Sequence, residues 1–315
     1  MAARVAGVSG HGLPHRGPPT ACGGKYINQP TDDTGVPVDD PESYYDEHDT
    51  EEWERLDSSL VTRLEWEGTV EYLRRTLPPG GHVLDVGGGA GRYAVWLAER
   101  GYEVTLVDPS EGQRELAREK VTEHGVGDRV TVREGDVRDL EFPAGTFDAT
   151  LCLGGPLSHV LDTEERSQGA RELRRVTAVG GPVFVSVMGR LNVLLLTLML
   201  PDRDSKRFDL LPELALSGDY DRDLLGARES EFVETHFFRA GELEVLLTEA
   251  GLVVEELVGL EGLPSVYAAG RLAESPEDLS GEQRRHVRDL VDTLRGDRSV
   301  ADLSAHMLAV CRVGG

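Results

Sequence analysis

Lysine is nearly missing from this chain. Only Lys25, Lys120 and Lys206 stand among 33 basic residues, against 57 acidic ones and a formal net charge of -24. So acidic and lysine-poor a surface is expected of a protein kept soluble in concentrated salt, a halophilic trait. A genome of high GC content, which exchanges Lys for Arg, is the alternative. The charge also argues against a nucleic-acid partner, which calls for a basic footprint. That argument weakens in molar salt, where screening acts within about 3 Å. Cysteine is scarce too: Cys22, Cys152 and Cys311 are too scattered for a disulfide framework or a zinc site. Cys152 falls in a predicted core strand, where a buried inert thiol is expected. No metal site is predicted. Long apolar runs are absent, because the best one, Leu191 to Leu200, is shorter than the roughly 20 residues a membrane span needs. No secretory apolar region follows the start, so a cytoplasmic protein without a membrane partner is expected.

Acids are missing from residues 1–31, which hold Arg4, Arg16 and Lys25 and are rich in Gly and Pro. A disordered tail over 1–38 is predicted, with 1–31 expected to precede the authentic start. Residues 39–315 then read as one α/β domain.

The strongest positive signal is His82-Val-Leu-Asp-Val-Gly-Gly-Gly-Ala-Gly-Arg-Tyr93, answered by Val104-Thr-Leu-Val-Asp108. It reads as a short apolar strand, a glycine turn opening a helix, and a second strand ending in an acid, half of a nucleotide-binding unit. A dinucleotide fingerprint begun at Gly87 or Gly89 would need glycine at 92 or 94, which hold Arg92 and Ala94. An acid, Asp85, instead precedes an alternating set, Gly87, Gly89 and Gly91. Glycine suits such a turn because it reaches backbone angles closed to other residues and lets a ligand approach the main chain.

This D-x-G-x-G-x-G turn with an acid closing the next strand resembles the class I, Rossmann-like S-adenosylmethionine (SAM)-dependent methyltransferases of small-molecule type. The resemblance runs from about Tyr44 onward. It implies that Asp85 organises the amino end of the cofactor SAM and that Asp108 accepts hydrogen bonds from both ribose hydroxyls. It further implies that Asp136, after the third strand (Val130 to Glu134), takes the adenine amino group while Val137 packs on the ring. Leu153, closing a fourth strand over Phe147 to Leu153, lies at the same rim. In such enzymes N-terminal helices cover the SAM pocket and an entrance tyrosine often touches the cofactor, which makes Tyr44 and Tyr45 candidates. Here that helical cover spans 39–78, with one helix over Thr50 to Thr62 and another over Leu64 to Thr76.

The remaining pattern agrees: a fifth strand over Gly181 to Val187, a helix over Arg239 to Ala250, a strand over Leu252 to Leu260, a helix over Gly281 to Arg295 and a strand over His306 to Arg312. The bottom-up reading reaches a mostly parallel, doubly wound sheet with helical crossovers. The resemblance extends it to seven strands, the last one antiparallel. An insertion over 189–233 is predicted as a lid on the acceptor. Its leucines suit either an apolar acceptor or packing, within the domain or in a homodimer.

A sulfonium methyl is already activated, so its in-line transfer needs alignment more than acid-base machinery. An oxygen or nitrogen acceptor must still lose a proton, and His159 is the best-placed histidine to take it, with His236 second. Leu153-Gly-Gly-Pro-Leu157 departs from the N/D-P-P-aromatic signature of nucleobase amino methyltransferases. A small-molecule acceptor is therefore expected. A nicotinamide oxidoreductase and a non-catalytic SAM-binding protein remain the alternatives.

Overall fold

The computed structural model describes residues 53–199, 208–221, 224, 233–265 and 279–315. Tyr44, Tyr45, the tail over 1–38, the start of the helical cover and parts of the lid lie outside them.

Helical backbone over 53–55 gives way to a turn, and α1 then runs over Leu60–Thr76 as one piece. The expected break between Thr62 and Leu64 does not occur. Ser59 caps the helix instead: its hydroxyl accepts from the Thr62 amide while the Thr62 hydroxyl accepts from the Ser59 amide. Such reciprocal capping satisfies two otherwise orphaned donors and fixes the start. Pro78 and the glycines at 80 and 81 then end the helix before β1 (His82–Val86).

Alternation follows through α2 (Arg92–Ala98), β2 (Glu103–Asp108), α3 (Glu111–Glu123), β3 (Val130–Glu134), β4 (Ala149–Cys152), α4 (Thr163–Val176) and β5 (Pro182–Met188). The insertion contributes α5 (Arg190–Met199), α6 (Leu211–Ser217) and a two-residue strand β6 (Asp219–Tyr220). That strand pairs with β7 (Thr235–His236) in a small separate sheet. The chain then builds α7 (Ala240–Glu249), β8 (Leu252–Gly259), α8 (Gly281–Leu294), the unforeseen α9 (Arg298–Leu303) and β9 (His306–Val313).

The main sheet has the order β3-β2-β1-β4-β5-β9-β8. β1 to β5 run parallel, and β9 enters antiparallel between β5 and β8. It is the expected seven-stranded, doubly wound α/β sheet with helices on both faces. Strand residues alternate between two cores. Leu84, Cys152 and Val185 join Leu173 and Leu247 on one face, while Val83, Leu151 and Phe184 join Leu73 and Leu97 on the other. Both faces are covered, which is why these strands are nearly continuous apolar runs. Strand order reverses between β1 and β4, and in open α/β sheets a ligand crevice opens there, beyond the carboxyl ends of the strands. Among the described residues no helix is long and apolar enough to cross a membrane.

Candidate functional site

A cavity of about 380 Å³ opens at that reversal point. Its wall contains Asp85, Gly87, Gly89, Asp108, Asp136, Val137, Leu153 and His159, so eight of the candidate residues come together. Gly91 does not line it. It caps α2 in a left-handed conformation (φ 84°), where an added Cβ would meet Ala117 at 3.3 Å. Its role is to let α2 pack on α3. Tyr45 lies outside the described residues.

The glycine turn is built by close approach. The Gly87 amide donates to the Val107 carbonyl (2.8 Å), tying the turn to β2. A Cβ on Gly88 would stand 2.6 Å from Leu106 Cγ, and one on Gly87 would overlap the Pro156 ring. Pro156 belongs to a single 3-10 turn, Pro156–His159, entered through Gly154 and Gly155, both at positive φ. Two serines brace that turn: Ser186 Oγ accepts from the Gly154 amide (2.7 Å) and Ser158 Oγ accepts from the Met188 amide (3.1 Å).

Asp108 closes β2 and faces the turn. Its Oδ2 accepts from the Gly89 amide at 2.8 Å and its Oδ1 from the Ser110 amide at 3.0 Å. A carboxylate oxygen carries two lone pairs, so each can accept more than one hydrogen bond. Asp85 is only 1% exposed, and its Oδ2 is buried without a hydrogen-bond partner. Burial, then the neighbouring Asp108 charge, raise its pKa to about 7, against a lowering hydrogen bond from the Ala94 amide. A cationic ligand group beside Asp85 would satisfy that oxygen and reverse the shift. The ammonium of SAM meets this requirement, so the residues present fit the cofactor.

Asp136 is clasped by its neighbour. Arg138 Nε donates to Oδ1 (2.9 Å) and Arg138 Nη2 to Oδ2 (2.6 Å), while Arg138 Nη1 reaches Glu165 (2.8 Å). Burial opposes ionisation, but these bonds outweigh it and hold the Asp136 pKa below its usual value. The motif Asp-Val-Arg carried this signal, and the sequence reading took only the acid and the valine from it. Val137 is buried beside Gly169, which lets α4 approach.

His159 Nδ1 donates to the Glu234 carbonyl (3.1 Å), the residue before β7. Burial lowers its pKa and this bond only partly restores it. The imidazole is therefore held neutral at pH 7 with its tautomer set by Glu234. His236 lies elsewhere, joining Asp219 of β6 (2.5 Å) to Glu242 of α7 (2.8 Å), and orders the insertion junction. Cys152 is fully buried, and burial pushes its thiol far up, so it is inert. Sequence reasoning missed Arg55 and Arg92, which also line the cavity. Arg92 is held by the Trp53 carbonyl (2.7 Å) and by Asp57, and nothing local in the sequence announces either arginine.

A family model described as a methyltransferase domain matches residues 83–181, the span holding the glycine turn, Asp108, Asp136 and His159. The ubiquinone biosynthesis O-methyltransferase of Pseudomonas aeruginosa is 31% identical over 183 residues, 58% of this chain and 68% of that protein. The chain belongs to the SAM-dependent methyltransferase family. This methyltransferase is also 33% identical over 116 residues to the methyltransferase GfsG of Streptomyces halstedii, covering 36% of the chain. It spans 40% of the length of GfsG and 27% of a 2-methyl-6-phytyl-1,4-hydroquinone methyltransferase of Oryza sativa subsp. japonica. Its fold is shared with a solved SAM-dependent methyltransferase of Methanosarcina mazei. That likeness has TM-score 0.54 and 19% identity, over 77% of this chain and 96% of that one.

Proposed function

We propose that this methyltransferase methylates an oxygen or nitrogen of a small, largely apolar molecule by in-line displacement, with His159 as the base. His159 carries the reading: a histidine kept neutral, with its orientation fixed, stands in the same wall as the glycine turn. When bound, SAM supplies the activated methyl. Asp85 holds its ammonium, Asp108 its ribose hydroxyls and Asp136 its adenine amino group, while Val137 and Leu153 flank the ring. Such positioning supplies on the order of 7–11 kcal/mol in well-oriented reactions.

Two observations support an apolar acceptor. Leu198, Met199 and Leu216 of the insertion are exposed, and Leu210, Leu214, Tyr220 and Phe237 form a small apolar cluster against which Val193 and Leu194 pack. The relatives' names include quinone and hydroquinone biosynthesis, which involve ring-bearing apolar molecules. The net charge of -24 disfavours a nucleic-acid acceptor and supports work in concentrated salt. The same exposed leucines support a homodimer, which sedimentation tests.

The assay is release of S-adenosylhomocysteine from SAM with a panel of catechols, hydroquinones and aryl amines, in low and molar potassium chloride. Turnover of a phenol or amine that is lost in His159→Gln bears the reading out. Turnover only on oligonucleotides would overturn it.

A further inference from the structure

Among the described residues, one buried cluster of charged side chains is used by no step above. Glu65 of α1, Glu261 after β8 and His306 opening β9 converge there, 2%, 1% and 7% exposed. His306 Nδ1 donates to Glu261 Oε1 (2.7 Å) and lies 3.5 Å from Glu65 Oε2. The other Glu261 oxygen accepts from the Ser304 hydroxyl (2.6 Å) and the His306 amide (2.9 Å). Glu65 is held bidentately by Arg55, at 2.8 and 3.1 Å. Burial pulls the His306 pKa down, but Glu65 and Glu261 outweigh it and raise the pKa, which favours the imidazolium. Burial likewise opposes ionised Glu65, and Arg55 and His306 outweigh that.

One end of this chain of contacts reaches the cavity. Arg55 lines it, and a Cβ built on Gly154, just past β4, would stand 4.0 Å from Arg55 Nη2. The wall holds two other arginines, and like Arg55 on Glu65 each is engaged by carboxylates: Arg138 by Asp136 and Glu165, Arg92 by Asp57 together with the Trp53 carbonyl. A zwitterionic amino-acid group with its ammonium at Asp85 gains from a cation facing its carboxylate. Arg55 is such a cation in the same wall, beside Gly154 at the end of β4, the strand paired with β1.

We propose that His306 and Glu261 are positioning residues for the cofactor, holding Arg55 through Glu65 where its guanidinium takes the carboxylate of the methionine end. This rests on the orientation of SAM given above. Neither residue touches ligand. With His306 uncharged, Glu261 loses its counter-charge and competes for the one guanidinium left, drawing it away from the cavity. Buried charges left unbalanced in this way act over several ångströms because the interior screens them poorly.

The test compares two ligands by calorimetry at neutral pH: S-adenosylhomocysteine, which has the amino-acid end, and 5′-methylthioadenosine, which lacks it. His306→Gln should weaken the first about tenfold, the effect of one charge-assisted contact, and leave the second unchanged. The double variant Glu261→Gln/His306→Gln, which removes one charge of each sign and keeps an amide pair, should restore the preference to within about threefold. Should His306→Gln fail to fold, Arg55→Gln/Glu65→Gln, also charge-balanced, must lose the same preference. Equal weakening of both ligands, or no weakening, overturns the proposal. If the wild type itself binds the two ligands equally, the orientation is wrong and the proposal falls with it. If the wild type prefers S-adenosylhomocysteine and every variant keeps that preference, the proposal alone falls.

Discussion

Replacing Asp85 by Asn should make the ligand-free protein more stable and the cofactor bind worse. The carboxyl titrates near 7 instead of 3.8, because it is buried and faces Asp108. A displacement of about three units corresponds to about 4 kcal/mol of penalty on the ionised form. The sign follows from linkage. Because the folded-state pKa is raised, the folded protein holds this proton more tightly than the unfolded chain between pH 4 and 7. Stability is therefore lost as pH rises through that window, and the whole penalty stands at pH 8. Asparagine has nearly the same shape and no charge, at a cost of about 1 kcal/mol for its own buried amide. The net gain at pH 8 is about 3 kcal/mol, which for a domain of this size raises Tm by roughly 5 °C or more. Near pH 5 the two proteins should differ little, since only about a third of the penalty has then accrued and the cost of the buried asparagine amide offsets most of it. SAM should lose a charge-assisted bond to its ammonium, about 1.5–3 kcal/mol, or roughly 10- to 100-fold in Kd. Differential scanning fluorimetry at pH 5 and 8, with calorimetric titration of SAM, reads both effects. A variant less stable than wild type at pH 8, or one that binds SAM equally well, would refute the reasoning.

Other perturbations separate the parts of the site. Asp108→Ala removes the acceptor for the Gly89 and Ser110 amides, so SAM affinity measured by calorimetry should fall at least about tenfold. His159→Gln should lower kcat by about 10²–10⁴ with little change in SAM Kd, the usual size of a general-base effect. In the wild type, kcat should be flat through neutral pH and fall only on acidification below the depressed His159 pKa, as a pH–rate profile would show. Gly88→Ala drives a methyl into Leu106 and should cost about 2 kcal/mol or more in urea unfolding, with SAM binding impaired.

The parts of the molecule legible in the sequence were those with a local signature. Asp85, Gly87, Gly89 and Asp108 lie within one strand-turn-helix-strand unit, and that local spacing brings them to the cavity, while Gly91 serves the helix start instead. The central strands β1, β2, β4, β5 and β9 appeared as apolar runs because they are buried on both faces, whereas the edge strands β3 and β8 keep exposed residues and alternate. Strand ends were less legible: β4 starts at Ala149, since Phe147 bridges Thr177 instead of joining the ladder. The β6–β7 pair has two residues per strand, too short for any alternation to show. Arg55, Glu65, Glu261 and His306 were illegible for a different reason. Glu65 and His306 are brought together by the last strand of the sheet, and no spacing in the chain records that. The same holds for Pro156 against Gly87, a contact fixed by the neighbouring position of β1 and β4.

The place of β9 has a consequence for how the protein is made. In the main sheet β8 pairs with β9 alone, so it has no place there until residues 306–313 are available. The five parallel strands and the glycine turn, by contrast, are complete once residue 188 has been translated. The nucleotide half of the crevice therefore belongs to the early part of synthesis, whereas His306 arrives near its end. A nascent chain stalled between these points carries Asp85, Asp108 and Asp136 but leaves Glu65 without its distant imidazole. Competence for the nucleoside and competence for the whole cofactor are thus acquired at different moments in the life of one polypeptide.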